Sequence, residues 1–172
     1  MKTLAEQLAT YAAYHRDRRN IATHFVGIPL IVIAIATLLS RPVFDLAGLS
    51  LSPAIVVVLA LAPFYLRLDV PLGLATMAAY GLSLAFGAWL AAQPTATWLS
   101  AGIGLFVVGW VIQFVGHAWE GRKPAFVDDI LQLAIGPLFV VAEAGFLLGL
   151  RKPLEEEIAR RAGPVRGGEQ CA

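Results

Sequence analysis

Five long apolar stretches, parted by short clusters of charge, constrain this chain more than any other feature of it. Ile21–Leu39 is interrupted only by His24, and Leu49–Leu66 follows it. Val70–Ala92 and Ala96–Gly116 carry no charge at all, and Ile130–Leu150 carries only Glu143. A helix crosses a hydrocarbon core with about 20 apolar residues, and four of these stretches approach or exceed that length. In lipid each backbone N–H and C=O must find its partner inside the segment, so each stretch is expected to be α-helical; none alternates as a membrane β-strand does. The expected fold class is all-α, a polytopic membrane helical bundle with about four full spans and a broken or re-entrant C-terminal helical hairpin.

The 172 residues are 58% hydrophobic and 15% charged, against roughly 45–50% and 25% in an ordinary soluble domain. A water-exposed globule of this size cannot clothe itself in so few polar groups, and a disordered chain is not so apolar. Cys171 is the single cysteine, which excludes a disulfide scaffold. A net charge of +1 gives no pull on nucleic acid. The first apolar stretch begins about 20 residues in, behind a charged segment and without a small-residue cleavage site, unlike a secretory signal. The terminal Glu169-Gln170-Cys171-Ala172 is neither a retention signal nor a prenylation box.

Lys and Arg set the expected orientation. With four crossings, one side receives Lys2, Arg16, Arg18, Arg19, Arg67, Arg122 and Lys123, and the other only Arg41. The N-terminus is therefore expected in the cytoplasm. A full fifth crossing would place Arg151, Lys152, Arg160, Arg161 and Arg166 outside. Glu143 is costly in lipid and Gly136-Pro137 is expected to interrupt the stretch, so a hairpin returning to the cytoplasm is the favoured reading. Residues from Lys152 onward read as a short amphipathic end and then a flexible tail.

The residues that can carry chemistry are three histidines and their neighbours. His15 and His24 flank the start of the first span, and His117 closes the fourth. An even number of crossings separates them, so all three can meet at one membrane face. Gln113, His117 and Glu120 stand at i, i+4 and i+7 on one helical face, and Asn20 and His24 at i and i+4. His15 and His24 are nine residues apart, which in one straight helix is about 180° and roughly 13 Å. A bend or non-helical start between them is required if they share a site, and Asp17 to Asn20 is a place for a cap. Imidazoles with a carboxylate suit Fe(II), Mn or Zn. The candidate sets are His15, His24 and His117, or two of these with Glu120. The same histidines also read as half-wet interfacial side chains. Arg18, Arg19, Arg122 and Lys123 read as topology signals and headgroup contacts, or as a grip on an anionic head. Asp128 and Asp129 are expected to cap the next helix or orient a histidine, and Gln132 is expected to pair with Asp128, four residues away.

Two motifs taken together carry a resemblance. Tyr14-His15-x4-Asn20-x3-His24-x2-Gly27-x-Pro29 opens the chain. Gln113-Phe114-x-Gly116-His117-x2-Glu120-x3-Pro124-Ala125 follows, and then Leu131-Gln132-x3-Gly136-Pro137. From about Tyr11 to Leu150 the chain resembles the Fe(II)-dependent 2-hydroxy fatty acid dioxygenases, small multi-pass membrane proteins of fatty-acid α-oxidation. The resemblance implies residues 1–151 as one membrane-embedded catalytic domain, with 152–172 a polar tail. It implies O2-dependent cleavage of a 2-hydroxy fatty acid to CO2 and the acid one carbon shorter. It implies Fe(II) held by His15, His24 and His117, with Glu120 a further ligand or an acceptor for an imidazole N–H. Asn20 and Gln113 then orient the site, Arg19, Arg122 or Lys123 neutralises the substrate carboxylate, and membrane lipid supplies the groove for the acyl chain. Oligomeric state leaves no mark in the sequence. The competing class is a small transporter or a structural membrane protein with non-catalytic interfacial histidines; the charge-free middle spans weigh against transport.

Overall fold

Seven α-helices and one two-stranded hairpin make up the regular structure of residues 2–167, the part of the chain that this computed structural model describes; Cys171 and the rest of the terminal tetrapeptide lie outside it. In chain order these are α1 (Leu4–Ala12), α2 (Arg18–Leu38), β1 (Phe44–Leu46), β2 (Leu49–Leu51), α3 (Pro53–Leu68), α4 (Val70–Ala91), α5 (Thr95–Glu120), a 3-10 turn at Ala125–Val127, α6 (Gln132–Leu147) and α7 (Lys152–Ala162). Helices α2, α4 and α5 are long and apolar enough to cross a membrane, and α6 with α7 forms a fourth candidate bent by 120°. This is a helical membrane protein.

Two expectations are corrected in detail. The second apolar stretch does not turn helical at Leu49. Ala47 and Gly48 take left-handed conformations (φ 54° and 82°), and the Gly48 N–H donates to Asp45 Oδ1 at 2.9 Å. That turn suits a two-residue hairpin and draws Leu49–Leu51 into pairing with Phe44–Leu46. Helix α3 starts only at Pro53, where the Ser52 hydroxyl accepts the Ile55 N–H. Its 16 residues reach about 24 Å. In the last apolar stretch, α6 runs through Gly136-Pro137 without a break. Pro137 lies in the second turn and forfeits one backbone bond. Gly136 answers to packing instead, since a Cβ there meets Ile28 Cδ1 and Tyr11 Oη at 3.1 Å. The bend falls later, at 148–151, where Gly149 (φ 76°) and Arg151 (φ 59°) are left-handed.

The chain divides into two compact units, Met1–Ile28 with Val111–Ala172, and Pro29–Trp110. In the second of these, α3 and α4 pack together about the tight turn at Asp69, whose carboxylate accepts the Leu72 N–H at 2.9 Å. Tyr65 and Tyr80 share a hydroxyl–hydroxyl hydrogen bond of 3.0 Å. Trp98 Nε1 donates to the Thr37 carbonyl at 2.8 Å, and the Arg41 guanidinium covers the Trp98 ring at 4.7 Å. Leu59, Leu74, Leu82, Phe86, Trp89 and Ile103 all point outward, a surface made for lipid rather than water.

In the first unit α1 packs on both α6 and α7. Here α2 and α5 bury their polar faces: Asn20 and His24 on one, Gln113, His117 and Glu120 on the other, while Val26, Val111, Phe114, Val115 and Trp119 face out. Polar residues within and apolar residues without invert the usual amphipathic helix, and place a polar chamber behind an apolar wall.

Helix packing in the Pro29–Trp110 unit depends on Gly87, where a Cβ falls 2.8 Å from the Ala36 carbonyl carbon, whereas nothing lies within 4 Å of a Cβ at Gly104. Gly87→Ala is expected to cost about 1–3 kcal/mol by overpacking, and Gly104→Ala to be neutral or slightly stabilising. Thermal midpoints of the two variants in one detergent check this pair.

Candidate metal centre

The chamber is assembled from three pieces of chain. Helix α1 ends at Ala12 and α2 begins at Arg18, so His15 sits on a non-helical link, residues 13–17. This is the break that the His15–His24 spacing demands. Asp17 closes the link as a cap: its Oδ1 accepts the Arg19 N–H at 2.8 Å, and its carbonyl accepts that of Ile21 at 3.1 Å. The third imidazole comes from the last turn of α5. Gly116 lets that turn close on α2, because a Cβ there would stand 2.1 Å from Thr23 Oγ1 and 2.5 Å from Asn20 Oδ1.

All three imidazoles are buried, and their ligand nitrogens lie within 4.8 Å of one another. Ring centroids stand 4.3 Å apart for His15 and His24, 4.9 Å for His15 and His117, and 5.3 Å for His24 and His117, each pair edge to face. Backbone carbonyls fix two of the rings. His15 Nδ1 bonds to the Tyr11 carbonyl at 2.6 Å and His24 Nδ1 to the Asn20 carbonyl at 2.8 Å. A carbonyl can only accept, so Nδ1 carries the proton in both and Nε2 keeps its lone pair. His15 Nε2 and His117 Nδ1 are buried with no protein partner.

Buried nitrogens without partners are rare and ask for a ligand. Two nitrogens about 2.1 Å from one ion stand up to about 4.2 Å apart, so a small adjustment of the rings suffices. The donor set fits a divalent transition metal. Burial, and then the neighbouring His24, holds His15 well below the ordinary imidazole value of 6.5, which keeps it in the neutral form a metal needs.

Glu120 stands beside the triad and turns away from it. Its Oε2 accepts from the Asp17 N–H at 2.7 Å and from Asn20 Nδ2 at 3.1 Å, and its Oε1 pairs with Arg166. Neither the His15 nor the His24 Nδ1–H reaches it, since both are bonded to carbonyls. Asn20 links the parts through its Nδ2, which also reaches the Tyr14 carbonyl at 3.3 Å. Gln113 is buried one turn before His117, with Oε1 unpartnered. The nearby cations are engaged locally. Arg19 pairs with Asp17 at 2.8 Å and lies over Trp119. Arg122 donates to the Ala13 carbonyl at 2.5 Å, and Lys123 pairs with Asp128 at 2.6 Å. Gln132 bonds to Asp129 rather than the expected Asp128, at 2.9 Å, because Asp128 is held by Lys123 and the Tyr14 hydroxyl.

Several residues at the site carry no sequence motif of their own. Tyr11 stacks on His15 at 4.1 Å and 9°, and Phe139 of α6 packs on Tyr11 at 4.9 Å. The Tyr11–His15 spacing of four residues is the one signal that could have pointed there. Arg166 gave none, being a lone arginine between a Gly-Pro turn and paired glycines.

A family profile described as 2-hydroxy-palmitic acid dioxygenase Mpo1-like matches residues 1–147. The chain belongs to the Mpo1-like family. It is 32% identical over 161 residues to the 2-hydroxy-palmitic acid dioxygenase MPO1 of Saccharomyces cerevisiae, covering 90% of this chain and 89% of the yeast protein. No solved structure matches the chain. The region that unites this chain with the Mpo1-like family contains all three histidines, Asn20, Gln113 and Glu120.

Depressed basicity at His15 has a consequence for the metal-free protein. As pH falls below about 6.5 the unfolded chain takes up a proton that the folded chain refuses, so stability is flat at higher pH and declines from there downward. The thermal midpoint of the metal-free protein is expected to fall steadily between about pH 6.5 and 5, and saturating metal is expected to hold it up across the upper part of that range.

Proposed function

We propose that His15, His24 and His117 hold a ferrous ion, and that the protein is a dioxygenase converting a 2-hydroxy fatty acid into CO2 and the fatty acid one carbon shorter. The supporting observation is the convergence of three buried, uncharged imidazoles on one point in a member of the Mpo1-like family. The overall change is R–CH(OH)–COOH + O2 → R–COOH + CO2 + H2O. C1 and C2 together lose four electrons and O2 takes up four, so no further reductant is needed. When bound, the ion supplies oxygen activation and a template for the carboxylate and hydroxyl of the substrate.

The chain's own residues prepare that template. The Tyr11 and Asn20 carbonyls hold His15 and His24 in the tautomer that presents Nε2. Tyr11 and Phe139 wall the His15 side with apolar surface and keep water from it. Asn20 and Glu120 tie the link to α2 and α5 and act as positioning residues rather than ligands. Gln113, with a free carbonyl oxygen, orients a polar group in the chamber. Arg19, Arg122 and Lys123 spend their donors on local acceptors, so they contribute a positive field that draws an anionic head, not a direct clamp. The outward apolar faces of α2 and α5 admit the acyl chain from lipid. The excess of Lys and Arg on one set of connections supports a cytoplasmic N-terminus and site.

Metal analysis of anaerobically purified protein is expected to give about one iron per chain, reduced at least tenfold in His117→Ala. Iron-loaded protein is expected to turn 2-hydroxypalmitate into pentadecanoate with consumption of O2. A folded chain that takes up no metal defeats the site, and an iron-loaded chain inert toward this acid defeats the substrate.

A further inference from the structure

The chain beyond α7 returns to the metal centre. After Gly163 the backbone runs alongside the link that carries His15. The Arg166 N–H donates to the Arg16 carbonyl at 2.6 Å, and the Arg18 N–H donates to the Arg166 carbonyl at 3.0 Å. Together they form a single rung of parallel β-pairing between Asp17 and Arg166. The buried Arg16 adds a crosspiece, its Nη1 donating to the Gly163 carbonyl at 2.8 Å while its Nε donates to Ala12 at 2.7 Å. The Arg166 side chain then reaches Glu120, whose own side chain is fully buried while the arginine is 62% exposed. One short segment, Gly163–Arg166, thus grips the C-terminal end of the link on either side of Asp17, and the carboxylate that holds it.

We propose that this C-terminal strap sets the position of His15 relative to His24 and His117, with Arg166 the positioning residue acting through Glu120. The link keeps turn bonds only as far as His15, whose N–H donates to the Ala12 carbonyl; beyond it the Arg16 carbonyl and the Asp17 N–H are taken by groups outside the link, which decide the geometry there. Arg16, Asp17 and Arg18 each give a backbone group to the strap or to Glu120. Without Arg166, Glu120 Oε1 is left buried beside a loosened link, and a ligand set tolerates only about 0.5 Å of drift. The strap lies past the residues that the family profile matches. The inference rests on the metal reading above.

The test uses the full chain, purified metal-free in detergent and titrated with Co(II), whose visible absorption reports ligand geometry. Wild type, Arg166→Ala, Arg166→Lys and Arg160→Ala are compared, with amide exchange followed at Asp17 and Arg18. Arg166→Ala is expected to weaken Co(II) binding about tenfold, shift the absorption bands and speed exchange at both amides. Arg166→Lys is expected to recover most of each, and Arg160→Ala, outside the strap, to match wild type. If Arg166→Ala does not fold, Arg166→Gln replaces it with the same expectations. A variant that exchanges faster yet binds Co(II) with wild-type affinity and spectrum overturns this inference alone, as does unchanged exchange. A wild-type chain that takes up no Co(II) overturns the metal reading and this inference with it.

Discussion

Continuous helix from His15 to His24 would set the two rings on opposite faces, roughly 13 Å apart along the axis. The site exists because the chain gives up helical bonding over residues 13–17 and turns His15 back toward α2. Giving up those bonds exposes backbone groups where water is scarce, and each needs a partner from elsewhere. Glu120 takes the Asp17 N–H, Arg122 covers the Ala13 carbonyl, Asn20 reaches the Tyr14 carbonyl, and the strap serves Arg16 and Arg18. The polar residues that crowd the centre are therefore mostly bound to backbone rather than aimed at a substrate. Their number follows from the break, and the break follows from the need to bring two histidines of one segment together.

How much of this was legible in the sequence depends on the range of the interaction. Helical class and membrane character follow from stretches without charge, since lipid leaves the backbone no alternative. Spacing of four and seven residues placed Gln113, His117 and Glu120 on one face, and all three are buried. Spacing of nine required a break, and a break is there. Readings that failed hinged on single local choices. Leu49–Leu51 is apolar enough for helix, but a left-handed Ala47-Gly48 pair committed it to a hairpin. Gly136-Pro137 looked like a helix breaker, yet proline near a helix start forfeits little, and Gly136 is fitted to Tyr11 and Ile28. Asp129 took Gln132 because Asp128 was already engaged. Arg166 could not be found by spacing at all, since its partners Arg16, Arg18 and Glu120 lie far away along the chain.

Apolar exteriors and polar interiors divide the labour among the side chains. On α5 the outward Val111, Phe114, Val115 and Trp119 alternate by turns with the inward Gln113, His117 and Glu120. Burial strips water from the imidazoles and, with the neighbouring His24, His117 and Arg16 adding to it, keeps His15 neutral at ordinary pH. The same burial makes an unpartnered nitrogen expensive, which turns the empty valences of His15 and His117 into affinity for an ion. Neutrality and unmet bonding are two results of one desolvation.

The place of Glu120 bears on the charge of the proposed centre. Two histidines and a carboxylate would leave a divalent ion with one unit of positive charge, whereas three neutral imidazoles leave it with two. A 2-hydroxy acid brings its own carboxylate, and a doubly charged ion can take that carboxylate directly. No protein cation is then needed in contact with the substrate, which agrees with Arg19, Arg122 and Lys123 being tied to Asp17, the Ala13 carbonyl and Asp128. Had Glu120 been a ligand, the incoming anion would meet a site already half neutralised, and one of those cations would have to be free to compensate. Holding Glu120 on the Asp17 backbone and on Arg166 keeps its charge out of the proposed coordination sphere while still using it to fix the link. The proposed all-imidazole site and the engaged surface cations are in this way a single electrostatic arrangement, one that would suit a substrate carrying its negative charge to the proposed metal itself.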